Sequence, residues 1–177
     1  PSWQTAVPMA REIVPTINRL AETLRERGGV VVWVSTTFSS ATVNDWSALF
    51  GGVYSAAFGE TVIESLRKDS DGHALWNKLD VRDVDWRASK DRFSVFLPGA
   101  SDLESRLRQI NVDTVLICGT VTNVCCDASA RDAMMRNLQV VMVADANVAL
   151  TDADHNASLT ALAQTFADVM NCDEVLA

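Results

Sequence analysis

Short runs of β-branched residues alternate along this chain with stretches of helical spacing, and that alternation limits its fold more than any other feature. Val30–Thr36 (VVVWVST), Asp113–Cys118 (DTVLIC) and Gln139–Ala144 (QVVMVA) read as buried strands. Val84–Ala88 and Glu174–Leu176 read as weaker ones. Met9–Arg27 carries Ile13, Ile17, Leu20 and Leu24 at helical spacing and stops at Gly28-Gly29. Ser101–Ile110 reads as a helix with Ser101 as N-cap and Glu104 completing a capping box. Asn123–Arg136 and Asp152–Met170 read as further helices and Glu60–Lys68 as a short one. Asp69–Gly72 is a turn, and Thr37–Gly59 is expected to be irregular. Strands alternating with helices predict one domain over residues 1–177, an α/β fold with a mainly parallel sheet in a three-layer α/β/α arrangement. Ligands of such sheets bind beyond the carboxyl ends of the strands.

Charge and motifs narrow the chemistry. A formal net charge of −8 argues against nucleic acid and anionic membranes as partners. No apolar run approaches the roughly 20 residues of a membrane span. Neither GxGxxG nor GxxxxGK[ST] occurs, so nucleotide binding by either device is not expected. The four cysteines, Cys118, Cys125, Cys126 and Cys172, fit no zinc spacing. They read as reduced thiols of a cytoplasmic protein, with Cys118 and Cys172 on strands in the core.

The segment LICGTVTNVCCDASARDAMM, Leu116–Met135, turns from strand to helix at two adjacent cysteines. A thiol at a helix N-terminus meets the positive end of the helix dipole and unpaired backbone N–H groups, both of which favour the thiolate. The same N–H groups can hold an oxyanion. Position alone leaves a nucleophile and a small core residue both open. Side chains of consecutive helical residues point about 100° apart, so only one cysteine can face a pocket.

GTVTNVCCDASARDA, Gly119–Ala133, resembles the signature of the isochorismatase-like cysteine hydrolases: a strand, G-x-x-T-x-x-C, then a helix with an S-x-R-D-A segment. SKDRFSVFLPGASDLESRLRQINVDTVLICG, Ser89–Gly119, is similar to the family's lysine segment, K-x-x-x-S-x-F followed by a helix. The resemblance implies Cys125 as the nucleophile, Cys126 as a packing residue and Lys90 as a catalytic lysine favouring the thiolate by charge attraction. It implies a cis bond between Thr120 and Val121 that aims the Val121 N–H, with that of Cys125, at an oxyanion. Ser94 and Phe96 shape the lysine segment, and Phe96 either touches substrate or belongs to the core.

The resemblance also implies a fold, a reaction and partners. The expected activity is cleavage of a small amide, carbamoyl or ureido substrate through a thioester. The alternatives are vinyl-ether hydrolysis of the isochorismatase type, which does without the cysteine, and a non-catalytic binding protein. The pocket walls come from variable loops and from a neighbouring subunit of a homodimer or homotetramer. Trp46, Phe50, Tyr54 and Phe58 recur every four residues in Asn44–Gly59, marking a pocket lid or a subunit contact, with Trp46 a candidate substrate-binding residue. Some relatives hold a metal through an Asp-x-His…His cluster. The two histidines here, His73 and His155, do not form one, so neither metal nor cofactor is expected and both read as surface or capping residues. Asp127 and Asp132 lie in the first helical turns, Asp132 pairing with Arg131. The third catalytic group implied by the resemblance, an aspartate in a D-x-Q motif on a first, central strand, has no counterpart. PSWQTAVPMAREIV resembles the segment that follows it, so the domain is expected to be N-terminally incomplete, with strand and aspartate lying upstream of Pro1.

Overall fold

The computed structural model describes residues 7–177; the first six residues of the opening stretch, Pro1–Ala6, lie outside them. Helix α1, Val14–Glu26, follows a 3₁₀ turn at Pro8–Arg11. It ends where predicted, with Gly28 in the left-handed region at φ 78°. The order then runs β1 (Val32–Thr36), α2 (Ser40–Asp45), α3 (Ala56–Leu66), β2 (Trp86–Lys90), α4 (Leu103–Gln109), β3 (Thr114–Thr120), α5 (Asp127–Met135), β4 (Gln139–Val148), α6 (Asp152–Ala163), β5 (Asp168–Met170) and α7 (Cys172–Leu176). All pairings are parallel.

The strands fall into two groups, β1 with β2, and β3 with β4 and β5. Among the described residues, β1 and β3 are each paired along one side only. Two core layers span both groups. On one face Leu103 and Leu107 of α4, Ala130 and Ala133 of α5, and Leu162 of α6 pack against Ala88, Val140 and Met142. On the other, Leu20 of α1 packs with Val143, Ala146 and Cys172, while the next residue, Ala21, packs with Val31 and Trp33. Alternate residues of β4 therefore serve opposite layers, as both-face burial of a parallel strand requires. The result is the α/β/α arrangement predicted.

Helix α1 thus crosses from one strand group to the other, and a buried carboxylate fixes it to the β1–β2 side. Asp85, its side chain 1% exposed, accepts from Arg25 Nε at 2.8 Å and Nη2 at 2.7 Å. It also accepts from Trp33 Nε1 at 2.7 Å and the Arg82 backbone N–H at 2.8 Å. The Arg25 guanidinium holds this carboxyl well below the usual carboxylate range.

Several local expectations are corrected. The last long helix stops at Ala163 rather than reaching Met170. The Thr165, Phe166 and Ala167 N–H groups fold back onto Leu162 O, and Asp168–Met170 joins β4 as a strand. The terminal strand is instead α7, opened by Asn171 and Glu174 as a capping box. Thr37–Gly59 is mostly helical: Ser39 and Thr42 form a capping box for α2, Ala48–Val53 is a π turn, and Ser55 caps α3. The N-cap of α4 is Asp102; Ser101 accepts from Leu103 N at 3.1 Å, and Glu104 binds Arg108 and Arg136 instead of completing a box. Arg131 pairs with Asp127, one helical turn away, and not with Asp132. Cys118 lies on β3 but is exposed, and Cys172 is buried at the start of α7.

Candidate active site

Lys90 closes β2 and is 5% exposed. An ammonium offers three N–H donors, and here all three have acceptors: Thr36 Oγ1 at 2.8 Å, Arg92 O at 2.8 Å and Cys125 Sγ at 3.4 Å. Cys125 stands in a π turn, Thr122–Cys126, between β3 and α5. Cys125 is half-buried toward Lys90, whereas Cys126 is buried in the main core. Burial pushes the Cys126 thiol up, keeping it neutral. The Thr120–Val121 peptide is cis. The Val121 carbonyl accepts from Val124 and Cys126, and among the described residues its N–H has no acceptor.

The turn is held from behind. Thr122 is fully buried, and its hydroxyl meets His155 Nδ1 at 2.9 Å. Ser158 Oγ donates to Asp127 Oδ2 at 2.8 Å, tying α6 to the start of α5. The lysine segment is held likewise: Ser129 Oγ accepts from Val95 N at 3.2 Å, and Ser94 Oγ from Phe96 N at 3.1 Å. Of the two roles open to Phe96, the structure gives it the core, where it is 4% exposed; it does not line an open wall.

Trp46 does reach the lysine segment. Its ring meets Phe93 edge-on at 4.8 Å between centroids, and the Arg92 guanidinium carbon lies over it, 5.1 Å from the ring centroid. A ladder of edge-to-face contacts continues through Phe50, Tyr54 and Phe58. Burial first, and the electrostatic influence of nearby Cys125 second, push the Tyr54 hydroxyl up. The four-residue spacing therefore builds a wall packed inward on Phe38 and Phe93 beside the thiol. Tyr54 belongs to the lid pattern read from the sequence; Thr36 and Phe93 were not read as site residues. Thr36 alone had a signal, because it ends a strand on the carboxyl edge.

Among the described residues, no carboxylate hydrogen-bonds to Lys90 Nζ or Cys125 Sγ. The nearest in sequence are engaged elsewhere, Asp91 by Arg92 and Asp127 by Arg131 and Ser158. His73 Nε2 meets Thr37 Oγ1 at 2.7 Å at the end of β1. Among the same residues no three His, Cys, Asp or Glu side chains are grouped so as to hold a metal ion, and no helix is long and apolar enough to cross a membrane.

A half-buried thiol at a strand-to-helix turn, facing a buried ammonium across the carboxyl edge of a parallel sheet, marks the class of cysteine hydrolases. The chain belongs to the isochorismatase family: the family's model, Isochorismatase domain, matches residues 1–174, and the protein is an isochorismatase-family hydrolase. It is similar to a cysteine hydrolase from Pseudomonas syringae pv. phaseolicola, with a TM-score of 0.81 and 25% identity, covering 99% of this chain and 84% of that one. It is similar to N-carbamoylsarcosine amidase from Thermoplasma acidophilum, with a TM-score of 0.75 and 25% identity over 95% and 87% of the two chains. Nicotinamidase 3 of Arabidopsis thaliana is 32% identical over 95 residues, 54% of this chain and 47% of that protein.

Proposed function

We propose that this protein is a metal-free cysteine amidohydrolase acting on a small amide, carbamoyl or ureido substrate. The observation that carries this reading is the Lys90 Nζ–Cys125 Sγ contact at 3.4 Å. It also favours amide chemistry over vinyl-ether hydrolysis, which needs no thiolate. The likeness to an amidase and a nicotinamidase supports the same class.

Cys125 thiolate attacks the substrate carbonyl carbon, and the carbonyl π electrons move to oxygen. The Val121 and Cys125 N–H groups hold that oxyanion. Lys90 Nζ, held by Thr36 Oγ1 and Arg92 O, points its remaining N–H at the sulfur. Collapse of the tetrahedral species breaks the C–N bond, and the nitrogen leaves protonated. Water then attacks the thioester, releasing the acid and restoring the thiolate. Trp46 and Tyr54 line one side of the approach. In this reading, the aspartate implied by the resemblance carries the proton given to the leaving nitrogen and taken from the attacking water. The ends of β1 and β3 belong to one pocket that a neighbouring subunit completes.

The test is an ammonia-release screen over small primary amides, N-carbamoyl amino acids and ureido acids, with Cys125→Ala as control. Release by the native protein and none by the variant is expected. Turnover that survives Cys125→Ala would overturn the proposal.

A further inference from the structure

We infer that Thr36 is a positioning residue that aims the Lys90 ammonium at the Cys125 sulfur. The inference rests on the amidohydrolase reading of the Lys90–Cys125 pair. Thr36 and Lys90 are register partners at the ends of neighbouring parallel strands, so their side chains leave the sheet on the same face. The Thr36 hydroxyl accepts from Lys90 Nζ at 2.8 Å, and this is its one hydrogen bond among the described residues. A lysine side chain has four rotatable bonds, and burial alone does not fix where its nitrogen points. Two acceptors at 2.8 Å, Thr36 Oγ1 and Arg92 O, leave the third N–H a single direction, and the sulfur lies along it.

The platform under this hydroxyl is itself fixed. Thr37 N donates to Lys90 O at 2.8 Å. The Thr37 side chain is tied to His73 Nε2 and Ser89 Oγ, each at 2.7 Å. Lys90 therefore meets a hydroxyl held in place, and among the described residues no other group hydrogen-bonds to that hydroxyl. A purely structural threonine at a strand end would spend its hydroxyl on backbone or solvent. This one is spent on a buried cation whose remaining proton faces the nucleophile.

The experiment is alkylation of Cys125 by iodoacetamide, followed by fragment-ion mapping to separate it from Cys118 and Cys126, at pH 7 and pH 10. At pH 7 reactivity depends on how well Lys90 favours the thiolate. At pH 10 any accessible thiol is thiolate, so that arm reads access alone. Thr36→Val, which removes the hydroxyl at constant shape, is expected to slow alkylation about tenfold at pH 7 and less than about twofold at pH 10, the scale of one hydrogen bond to a charged group. Thr36→Ser is expected to restore the native rate. Thr36→Ala is run beside Thr36→Val so that a packing fault in one does not decide the result. Equal slowing at both pH values, or native rates for both Thr36→Val and Thr36→Ala while Lys90→Met is slowed at pH 7, would overturn the positioning role and leave the amidohydrolase reading standing. A native pH 7 rate in Lys90→Met would instead overturn the reading of the pair itself, and the inference with it.

Discussion

Replacing Asp85 by Asn should be the most damaging single-atom change outside the thiol pocket. The carboxylate receives four N–H bonds of 2.7–2.8 Å and is 1% exposed. The amide keeps one oxygen but turns an NH₂ group toward the Arg25 guanidinium, which is 10% exposed and then lacks its countercharge. Breaking one partner of a buried pair costs about 3–5 kcal/mol. Asp80, at 3.0 Å from Arg25 Nη1, offsets part of that, so a loss of about 3 kcal/mol at pH 7 is expected against a total of roughly 5–15 kcal/mol. The pH dependence carries a definite sign. The Asp85 carboxyl is held below its unfolded value of about 3.9. Its contribution is therefore complete above that value and is lost as the pH falls through the lower folded one. The Asn variant has nothing to titrate there, so the stability gap should be constant from pH 7 to about pH 5 and should narrow below about pH 4. Urea unfolding of both proteins across that range measures it. A gap under about 1 kcal/mol at pH 7, or one that persists undiminished at pH 3, would refute the clamp as described.

Cys125→Ala should abolish turnover with little change in stability, whereas Cys126→Ala should retain most of the activity, because Cys126 is buried in the main core with its thiol kept neutral; the opposite ranking in a rate assay would move the nucleophile by one residue. Turnover should survive exhaustive EDTA treatment, and activity restored only by added metal would contradict the proposed chemistry. Trp46→Ala removes a ring that meets Phe38, Phe50 and Phe93 edge-on. It should raise KM about tenfold on the scale of aromatic contacts with a smaller change in kcat, and an unchanged KM would take the aromatic wall out of the pocket.

The sequence carried β1, β3 and β4 because strands buried on both faces read as apolar runs, and VVVWVST, DTVLIC and QVVMVA resist other readings; β2 (WRASK) and β5 (DVM) lack such runs and were read weakly or as helix. The cysteine–lysine pair was legible only through the resemblance. Spacing put Cys125 at a helix start, but nothing local distinguishes Lys90 from a solvated lysine at a strand end. The errors have local physical causes. Asp152–Met170 looked like one helix because Phe166 and Val169 continue its apolar spacing, while the turn back onto Leu162 is a tertiary choice. Arg131 could reach Asp127 or Asp132, and helical geometry selects the residue four positions away. Thr36 went unassigned because its partner Lys90 is 54 residues away, a distance no periodicity reports.

The thiol and the amine of the Lys90–Cys125 contact are carried by different halves of the molecule, Lys90 by the β1–β2 group and Cys125 by the turn after β3 of the β3–β4–β5 group. Their contact is therefore a measure of how far apart those halves stand. A hinge opening of one or two ångströms, too small to unfold either half, would separate ammonium from sulfur and silence the thiol. Anything that presses the halves together, whether the Arg25–Asp85 clamp on α1 or a neighbouring subunit, would act as a tuning screw on thiol reactivity without touching the sulfur. Thiol reactivity in this protein thus doubles as a strain gauge for the seam, readable in solution without any substrate.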